Sequence, residues 1–375
     1  MTMRKHSRFV LAILVLLLGF LPTQQVEASS SAYAGEFAYA MNIDPLGNSL
    51  VGVHVQAKNI GPDWLMVDFD WAAWFPSMDT KQSLQSLDMI MQFAQDEGIS
   101  VCIRILNAPD WAMMGSGPNH AHTLNLIRVL YERYPGSMKA VELFPGANTT
   151  QGWGATPSPQ AYMDLLDEVQ QSFILEEMYL LLVAGGLVAV DSPDQVMNVS
   201  DISFLEGLYT AGFRSLNAIL SVQMTDLHPD LFHTPQSMDE PALLHIDAVQ
   251  NVMTLNDDEA GIVWVTALSF KEPVSSLYDA CNLLRSRLFV GLISPAALNP
   301  IGSVPAVIDV SDGNGEAETM QQLISENHSQ TNSPFGIRSK NLQSISKDEQ
   351  YESNPVRAFF SCVFGFGRSW ISDSP

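Results

Sequence analysis

The feature that most constrains the fold is a regular alternation of short apolar runs with helix-periodic segments. Eight runs of apolar or β-branched residues have the length of buried strands; they cover residues 37–41, 64–71, 101–106, 140–144, 179–184, 219–224, 262–268 and 290–293. Between them apolar residues recur at helical spacing, as at Leu84, Leu87, Met91 and Ala94. Strands that alternate with helices predict a parallel sheet covered by helices.

Chain length favours closing this sheet into a barrel. An α/β barrel takes about 250 residues as one domain, and the chain has 375. An open doubly wound sheet is the alternative, but it would carry a glycine-rich phosphate turn after the first strand. The chain has Asn42-Ile43-Asp44-Pro45 there. The predicted fold class is therefore α/β, a (β/α)8 TIM barrel with a disordered or loosely attached C-terminal tail.

The two ends of the chain differ in character from the middle. Basic residues precede an apolar stretch over 9–21, and Val26-Glu27-Ala28 offers a small-residue cleavage site, which is typical of a secretory signal. The stretch is shorter than the ~20 residues of a spanning helix. We expect a signal peptide over 1–28, a barrel over 29–326, and a polar linker with a short apolar tail over 327–375. An uncleaved N-terminal anchor is the alternative for the first segment.

Charge excludes some partners. Without residues 1–28 the chain would lose three of its 18 basic groups and one of its 41 acidic groups, leaving a net charge of −25. Such a surface repels nucleic acid and anionic lipid. We expect no nucleic-acid partner, no transmembrane segment in the mature chain and a secreted or extracytoplasmic location. The oligomeric state has no signal in the sequence.

No pattern predicts a cofactor or a metal. The histidines lack the spacing of a zinc site, and no glycine-rich nucleotide loop follows a strand. The three cysteines are too few for a disulfide framework; they are Cys102, Cys281 and Cys362.

Two segments carry a family resemblance. Residues 133–153 (RYPGSMKAVELFPGANTTQGW) and 157–166 resemble the fourth-strand region of (β/α)8 retaining glycoside hydrolases, which have a Trp-Asn-Glu-Pro-Asn signature; here it reads Phe144-Pro145-Gly146-Ala147-Asn148. Residues 261–270 (GIVWVTALSF) resemble the seventh strand, which in that family ends in Thr-Glu and here ends in Thr266-Ala267. The resemblance covers roughly residues 36–300.

The resemblance implies that both catalytic glutamates are replaced. Gly146 stands at the acid/base position and Ala267 at the nucleophile position. Retaining hydrolysis needs two carboxyl groups about 5–5.5 Å apart, one to protonate the leaving oxygen and one to attack the sugar. Neither glycine nor alanine can do this, so no catalytic residue is predicted.

Aromatic residues near the strand ends predict a sugar site. Aromatic planes stack on the apolar face of a pyranose, and barrel sites lie at the C-terminal strand ends. The predicted substrate-binding residues are Trp71, Trp74, Trp111, Phe144, Asn148 and Trp153. The alternative is that the rings close the barrel mouth as part of the core.

Other carboxylates leave an enzyme possible. Glu142 alternates with Phe144 on the fourth strand, and Arg104 could neutralise it as a buried pair. Displaced catalytic carboxylates could come from Asp70, Asp110, Asp226 or Glu272. Three functions therefore stay open: non-hydrolytic binding of an oligosaccharide or polysaccharide, an active glycosidase with displaced carboxylates, and a scaffold or interaction module without a small-molecule ligand.

Overall fold

A computed structural model describes residues 37–80, 83–190, 197–228, 230–233, 242–270, 277–295 and 316–331. Within these ranges eight parallel strands form a closed barrel in which each strand pairs with the next along the chain and the last pairs with the first. The strands are β1 (Ala38–Ile43), β2 (Trp64–Asp70), β3 (Ser100–Leu106), β4 (Met138–Leu143), β5 (Leu181–Val188), β6 (Ala218–Leu227), β7 (Val263–Phe270) and β8 (Val290–Pro295). The predicted (β/α)8 barrel is confirmed, and the predicted tail lies outside the described residues.

A helix follows each strand along the described chain. The helices are α1 (Leu50–Ile60), α2 (Gln85–Glu97), α3 (His120–Arg133), α4 (Pro159–Leu175), α5 (Asp201–Thr210), α6 (His245–Leu255), α7 (Leu277–Arg285) and α8 (Glu316–Thr331). Local sequence fixes several ends: the Ser158 side chain accepts from Ala161 N before Pro159 opens α4, and Gly98 ends α2 at φ 71°. Serine caps and left-handed glycines satisfy the groups that a helix end leaves unpaired.

Shorter elements lie in the loops. Single helical turns cover Trp71–Trp74, Asp110–Ala112, Thr150–Trp153 and Phe213–Ser215, and a two-residue hairpin pairs Met113–Met114 with Gly117–Pro118. The second predicted strand included Trp71, but Trp71 begins a helical turn because the Asp70 side chain accepts from Ala73 N at 2.9 Å.

The core has two layers. Apolar residues between the barrel and the helices form the larger cluster. A smaller cluster fills the barrel interior from the first half of the strands and includes Ala40, Met66, Cys102, Val183 and Leu292. In it the rings of Trp64 and Trp264 meet edge-on at 5.0 Å. The N-terminal end of the barrel is therefore closed by side chains, as expected for a packed barrel interior.

The last helix crosses the predicted end of the barrel domain. α8 continues to Thr331, five residues beyond position 326. Asn327 is 3% exposed, and its Nδ2 donates to Phe37 O at 2.8 Å, just before β1. The helix is polar along most of its length, so composition alone resembled a linker. The predicted signal segment and the chain beyond 331 lie outside the described residues. Among the described helices, none is long and apolar enough to cross a membrane.

We expect Asn327→Ala to lower the free energy of unfolding by about 1–2 kcal/mol, because it leaves the buried Phe37 carbonyl without its donor. Urea unfolding would measure the change. Ser325→Ala, on an exposed position of the same helix, is the matched control and should change stability by less than about 0.5 kcal/mol. Equal effects would show that the bond from Asn327 to Phe37 O does not stabilise the fold.

Candidate functional site

Above the apolar layer, the barrel interior carries polar side chains. They are Asn42, Asp68, Arg104, Glu142, Ser221, Gln223, Thr266 and Ser294, and we call them the polar layer. Thr266 Oγ1 donates to Glu142 Oε1 at 3.3 Å. Because β4 and β7 are three strands apart around the barrel, this contact crosses the interior. The polar layer therefore lies inside the barrel, on the side of the C-terminal mouth where barrel sites form.

The uncharged members of the layer are held by hydrogen bonds. Asn42 Nδ2 donates to Thr266 O at 3.0 Å, and Ser294 Oγ donates to Asn42 Oδ1 at 2.8 Å. On the other side of the barrel, Ser221 Oγ accepts from Gly186 N at 2.7 Å and donates to Ala184 O at 3.0 Å. These bonds tie the strands to one another and give the layer a defined shape.

The charged members form a trio, Asp68–Arg104–Glu142, from β2, β3 and β4. Arg104 Nε lies 2.9 Å from Glu142 Oε2, and Arg104 Nη1 lies 3.2 Å from Asp68 Oδ1. Glu142 is fully buried and Arg104 is 5% exposed, so the expected buried Arg104–Glu142 pair is present. Asp68 was missed in the sequence. Its signal was a charged residue in the middle of an otherwise apolar strand.

The trio is ion-paired but poorly hydrogen-bonded. Asp68 Oδ1, Arg104 Nε and Glu142 Oε2 are all buried, and they face one another as ion pairs without the geometry of a good hydrogen bond. Removing one partner of a buried ion pair leaves an uncompensated charge, which is strongly destabilising. The Asp68 side chain is nevertheless 29% exposed. Since side chains close the other end of the barrel, this exposure is to the mouth.

The surroundings of Asp68 raise its pKa. Burial is the main cause, and it raises the pKa of Asp68 to about 6. Arg104 acts in the opposite direction, while Glu142, Asp44 and Asp70 raise the pKa further. A carboxyl group with this pKa changes its charge in the mildly acidic range.

The predicted acid/base position, Gly146, has a backbone that disfavours a glutamate. Gly146 has φ +83°, and its N–H donates to Gly186 O at 2.8 Å. A Cβ there would lie 3.4 Å from Thr149 Oγ1 and 4.0 Å from Val188 Cγ2. A side chain at 146 would start toward the Thr150–Trp153 turn and the end of β5. The backbone at this position is therefore left-handed, a conformation that is unfavourable for any residue with a Cβ.

The predicted nucleophile position, Ala267, is a buried alanine. Ala267 is 4% exposed and lies in β7. The pairing of β7 with β6 shifts there, so that Val265 pairs with Val222 and Ala267 with Gln223. Ala267 brings no titratable group to the mouth.

Five of the six predicted substrate-binding side chains are buried. Trp71, Trp74, Phe144 and Trp153 are each at most 2% exposed, and Asn148 is fully buried. Phe144 and Trp153 meet edge-on at 5.9 Å, and Trp74 stacks on Phe69 at 5.7 Å. The rings pack between strand ends and loops, which is the alternative considered for them above.

Asn148 and Trp153 are also engaged through their polar atoms. Asn148 Nδ2 donates to Val188 O and Val199 O, both at 2.8 Å, and Asn148 Oδ1 accepts from Val188 N at 3.0 Å. Trp153 Nε1 donates to Ser116 O at 2.8 Å. These bonds join the loop after β4 to the end of β5 and to the loop after β3.

Trp111 is the predicted site residue that keeps a partly exposed side chain. Its Nε1 donates to Phe75 O at 2.9 Å, which fixes the ring. Trp71 meets it edge-on at 5.6 Å and His122 at 5.4 Å. Trp111 is therefore a rigid aromatic surface on the loop after β3.

The candidate displaced carboxylates do not form an evident pair. Both Asp70 oxygens are used, one by Ala73 N and one by Asn107 Nδ2 at 2.9 Å. Asp110 and Asp226 are exposed, and Glu272 lies outside the described residues. In the same described ranges, no group of three or more His, Cys, Asp or Glu side chains could hold a metal ion.

A second buried polar pair lies outside the mouth. Asp201 and His245 are the first residues of α5 and α6, and Asp201 Oδ2 lies 2.7 Å from His245 Nε2. Both line a narrow cavity with Gln223 and Leu187 near the ends of β6 and β5. The pair joins two helix ends on the mouth side of the barrel.

Comparison with known proteins finds the same barrel fold in solved structures. No family model and no curated protein matches the chain. The catalytic domain of a β-amylase from Paenibacillus polymyxa has a TM-score of 0.53 at 11% identity, over 78% of this chain and 99% of that one. A family 39 glycoside hydrolase from the gut symbiont Bacteroides cellulosilyticus has 0.50 at 15% identity, over 70% of this chain and 56% of that one. The chain thus shares a barrel fold with both proteins and spans just over half of the second one.

Gly146→Glu should lower the free energy of unfolding by more than the about 1–2 kcal/mol that a left-handed conformation costs an L-residue. Gly136→Glu is the matched control, because Gly136 has φ +79° with nothing within 4 Å of an added Cβ. Chemical unfolding of both variants separates the backbone cost from the contacts with Thr149 and Val188. A Gly146 variant as stable as the wild type would contradict the left-handed geometry.

Asp68→Asn should change the pH dependence of stability. In the wild type the folded pKa of Asp68 is about 6, against 3.8 for the ordinary group. Between these values the unfolded chain ionises and the folded protein does not, so wild-type stability falls as pH rises. The variant lacks this loss. The free energy of unfolding of the variant, relative to that of the wild type, should therefore rise by on the order of 1–3 kcal/mol from pH 4 to 7. Asp110→Asn is the exposed control, and a pH-independent difference for Asp68→Asn would contradict the raised pKa.

Proposed function

We propose that the protein is an exported, glycosidase-like barrel that binds an oligosaccharide or polysaccharide at its C-terminal mouth without hydrolysing it. The observation that carries the proposal is the chemistry of the two family positions. Gly146 and Ala267 cannot donate a proton, attack a sugar carbon or activate water. The remaining support comes from the charged trio and from the aromatic and polar side chains at the mouth.

The charged trio is a poor substitute for the missing pair. A glycosidase needs its two carboxyl groups to face the sugar from opposite sides of the scissile bond. Here the guanidinium of Arg104 contacts both Asp68 and Glu142, so it occupies the space between the two carboxylates. Glu142 is fully buried and cannot reach a ligand in the mouth. The trio can bind a sugar hydroxyl but is not arranged for hydrolysis.

The mouth retains features that favour sugar binding. Carbohydrate sites combine an aromatic surface with a few fixed polar groups. Trp111 is a half-buried ring whose orientation is set by its bond to Phe75 O. Asp68 is exposed to the mouth within the barrel, and Gln223 is held by donating to Gly186 O at 3.1 Å. The shared fold supports sugar binding only by analogy, because fold alone does not determine function.

Export is the part of the proposal that rests on the N-terminal segment. The basic residues, the short apolar stretch and the small-residue cleavage site over 1–28 are those of a secretory signal. An acidic surface of this kind is compatible with neutral glycans as partners. N-terminal sequencing of the mature protein from its own host would test the cleavage.

We expect the protein to show no hydrolysis of aryl glycosides or oligosaccharides above a buffer control, and to bind at least one glycan. Turnover would be followed by product chromatography and binding by a glycan array. Activity that survives repurification and is lost in Asp70→Asn, Asp110→Asn or Asp226→Asn would establish an enzyme with displaced carboxylates. Absence of any glycan ligand would favour an interaction module.

Trp111→Ala should weaken the glycan found on the array, with a stacking contribution on the order of 1 kcal/mol. Trp111→Phe keeps an aromatic plane and should retain most of the affinity. Trp153→Ala is a control for packing, since Trp153 is buried and should mainly lower thermal stability. Calorimetry with unchanged affinity for Trp111→Ala would remove this ring from the site.

A further inference from the structure

We propose that Asp68 and Arg104 form the floor of the sugar site, where they recognise adjacent hydroxyl groups of an uncharged sugar and discriminate against sugars that carry carboxylates. This inference rests on the proposed function and specifies its ligand class. It assigns the contact to two residues of the polar layer that are distinct from the family catalytic positions.

The first reason is the hydrogen-bonding capacity of the pair. A guanidinium offers five donors and a carboxylate accepts at two oxygens. Arg104 has 7% of its side chain exposed and Asp68 has 29%, with their ion pair at 3.2 Å. Arg104 Nε and Asp68 Oδ1 are themselves buried in the ion pairs, so a ligand can contact only the exposed remainder of the two side chains. Adjacent donors and acceptors match neighbouring hydroxyl groups, each of which can both donate and accept.

The second reason is position. Met66 lies two residues before Asp68 on β2, and it belongs to the apolar cluster inside the barrel. Asp68 is the next inward residue toward the mouth, so a ligand that enters from the mouth meets its carboxylate above a closed apolar layer. Glu142 lies beside Arg104 on the neighbouring strand, is fully buried, and accepts from Thr266 Oγ1 at 3.3 Å. Glu142 therefore positions the guanidinium.

The third reason is charge. With both carboxylates ionised the trio has a net charge of −1, because one guanidinium faces two carboxylates. Asp70 on the same strand and Asp44 after β1 add to the negative potential at Asp68. A uronate would bring a further anion into this environment, where repulsion is screened less than in water. A neutral sugar has no such cost.

Protonation of Asp68 gives the inference a pH signature. The ionised carboxylate accepts hydrogen bonds from two hydroxyl groups, while the protonated acid has a donor and fewer acceptors. The groups that face it are Arg104 from β3, Glu142 from β4, and Asp44 and Asp70. Because burial raises the pKa of Asp68 to about 6, affinity for a neutral glycan should fall as pH drops from 7 to 5.

The experiment compares the wild type with Asp68→Asn and Asp110→Asn on an array of neutral, amino and uronate oligosaccharides. Calorimetry on the strongest array ligand, at pH 5 and pH 7, follows. We expect wild-type binding to neutral glycans, no binding to uronate glycans, and at least about a tenfold loss of affinity for Asp68→Asn at pH 7. The variant should also lose the pH dependence. Asp110→Asn removes an exposed acid of the loop after β3 and should keep wild-type affinity within about twofold.

The outcomes separate this inference from the proposed function. Wild-type binding that is unchanged in Asp68→Asn, or that extends equally to uronate glycans, overturns the role of the floor and leaves sugar binding in place. A wild type that binds no glycan overturns both. Asparagine matches aspartate in shape and leaves the Arg104–Glu142 pair intact, and thermal unfolding would verify that the variant folds.

Discussion

Closure of the barrel between its first and last strands is the constraint on which the rest of the structure depends. The β1–β8 register is short, with Ala38 opposite Leu292 and Tyr39 opposite Ile293. Side chains extend it: Ser294 Oγ reaches Ala40 O at 3.2 Å and Asn42 Oδ1 at 2.8 Å. A parallel sheet left open at this seam would expose unpaired backbone groups on two edges. The side-chain hydrogen bonds therefore supplement the short backbone pairing between β1 and β8.

The same seam explains why α8 belongs to the barrel. Its Asn327 donates to the carbonyl that precedes β1, and His328 Nε2 lies 2.8 Å from Asp63 Oδ1 just before β2. Closure also determines where polarity can lie. Once Trp64 and Trp264 fill one end of the interior, charged groups such as Arg104 have access to solvent only through the mouth.

Local patterns predicted the strands well and the site poorly. Each strand is an apolar run bounded by segments with helical periodicity, so adjacent residues are enough to predict it. The predicted runs agree with the eight strands to within a few positions. Burial of the aromatic rings is instead set by contacts between distant loops, such as Trp71 with Trp111. The helix that crosses position 326 was not anticipated for a similar reason, because Leu323, Ile324 and Asn327 are buried by contacts with distant parts of the chain. Asp68 was not assigned a role from the sequence because its ion pair is with Arg104. The two residues are far apart in the sequence and become neighbours only when the strands pair.

The predicted acid/base position, Gly146, is distinguished by its backbone as well as by its lack of a side chain. Gly146 takes a left-handed conformation and bonds to Gly186 O on β5. Gly186 also has positive φ, and a Cβ there would lie 3.0 Å from Glu142 Oε1. The ends of β4 and β5 thus approach each other through glycines in a way that an L-residue at either position would disturb. Replacing Gly146 with glutamate would therefore place a carboxyl group on a left-handed backbone between two glycine-rich strand ends, where the side chain would not be held as it is on a regular strand end.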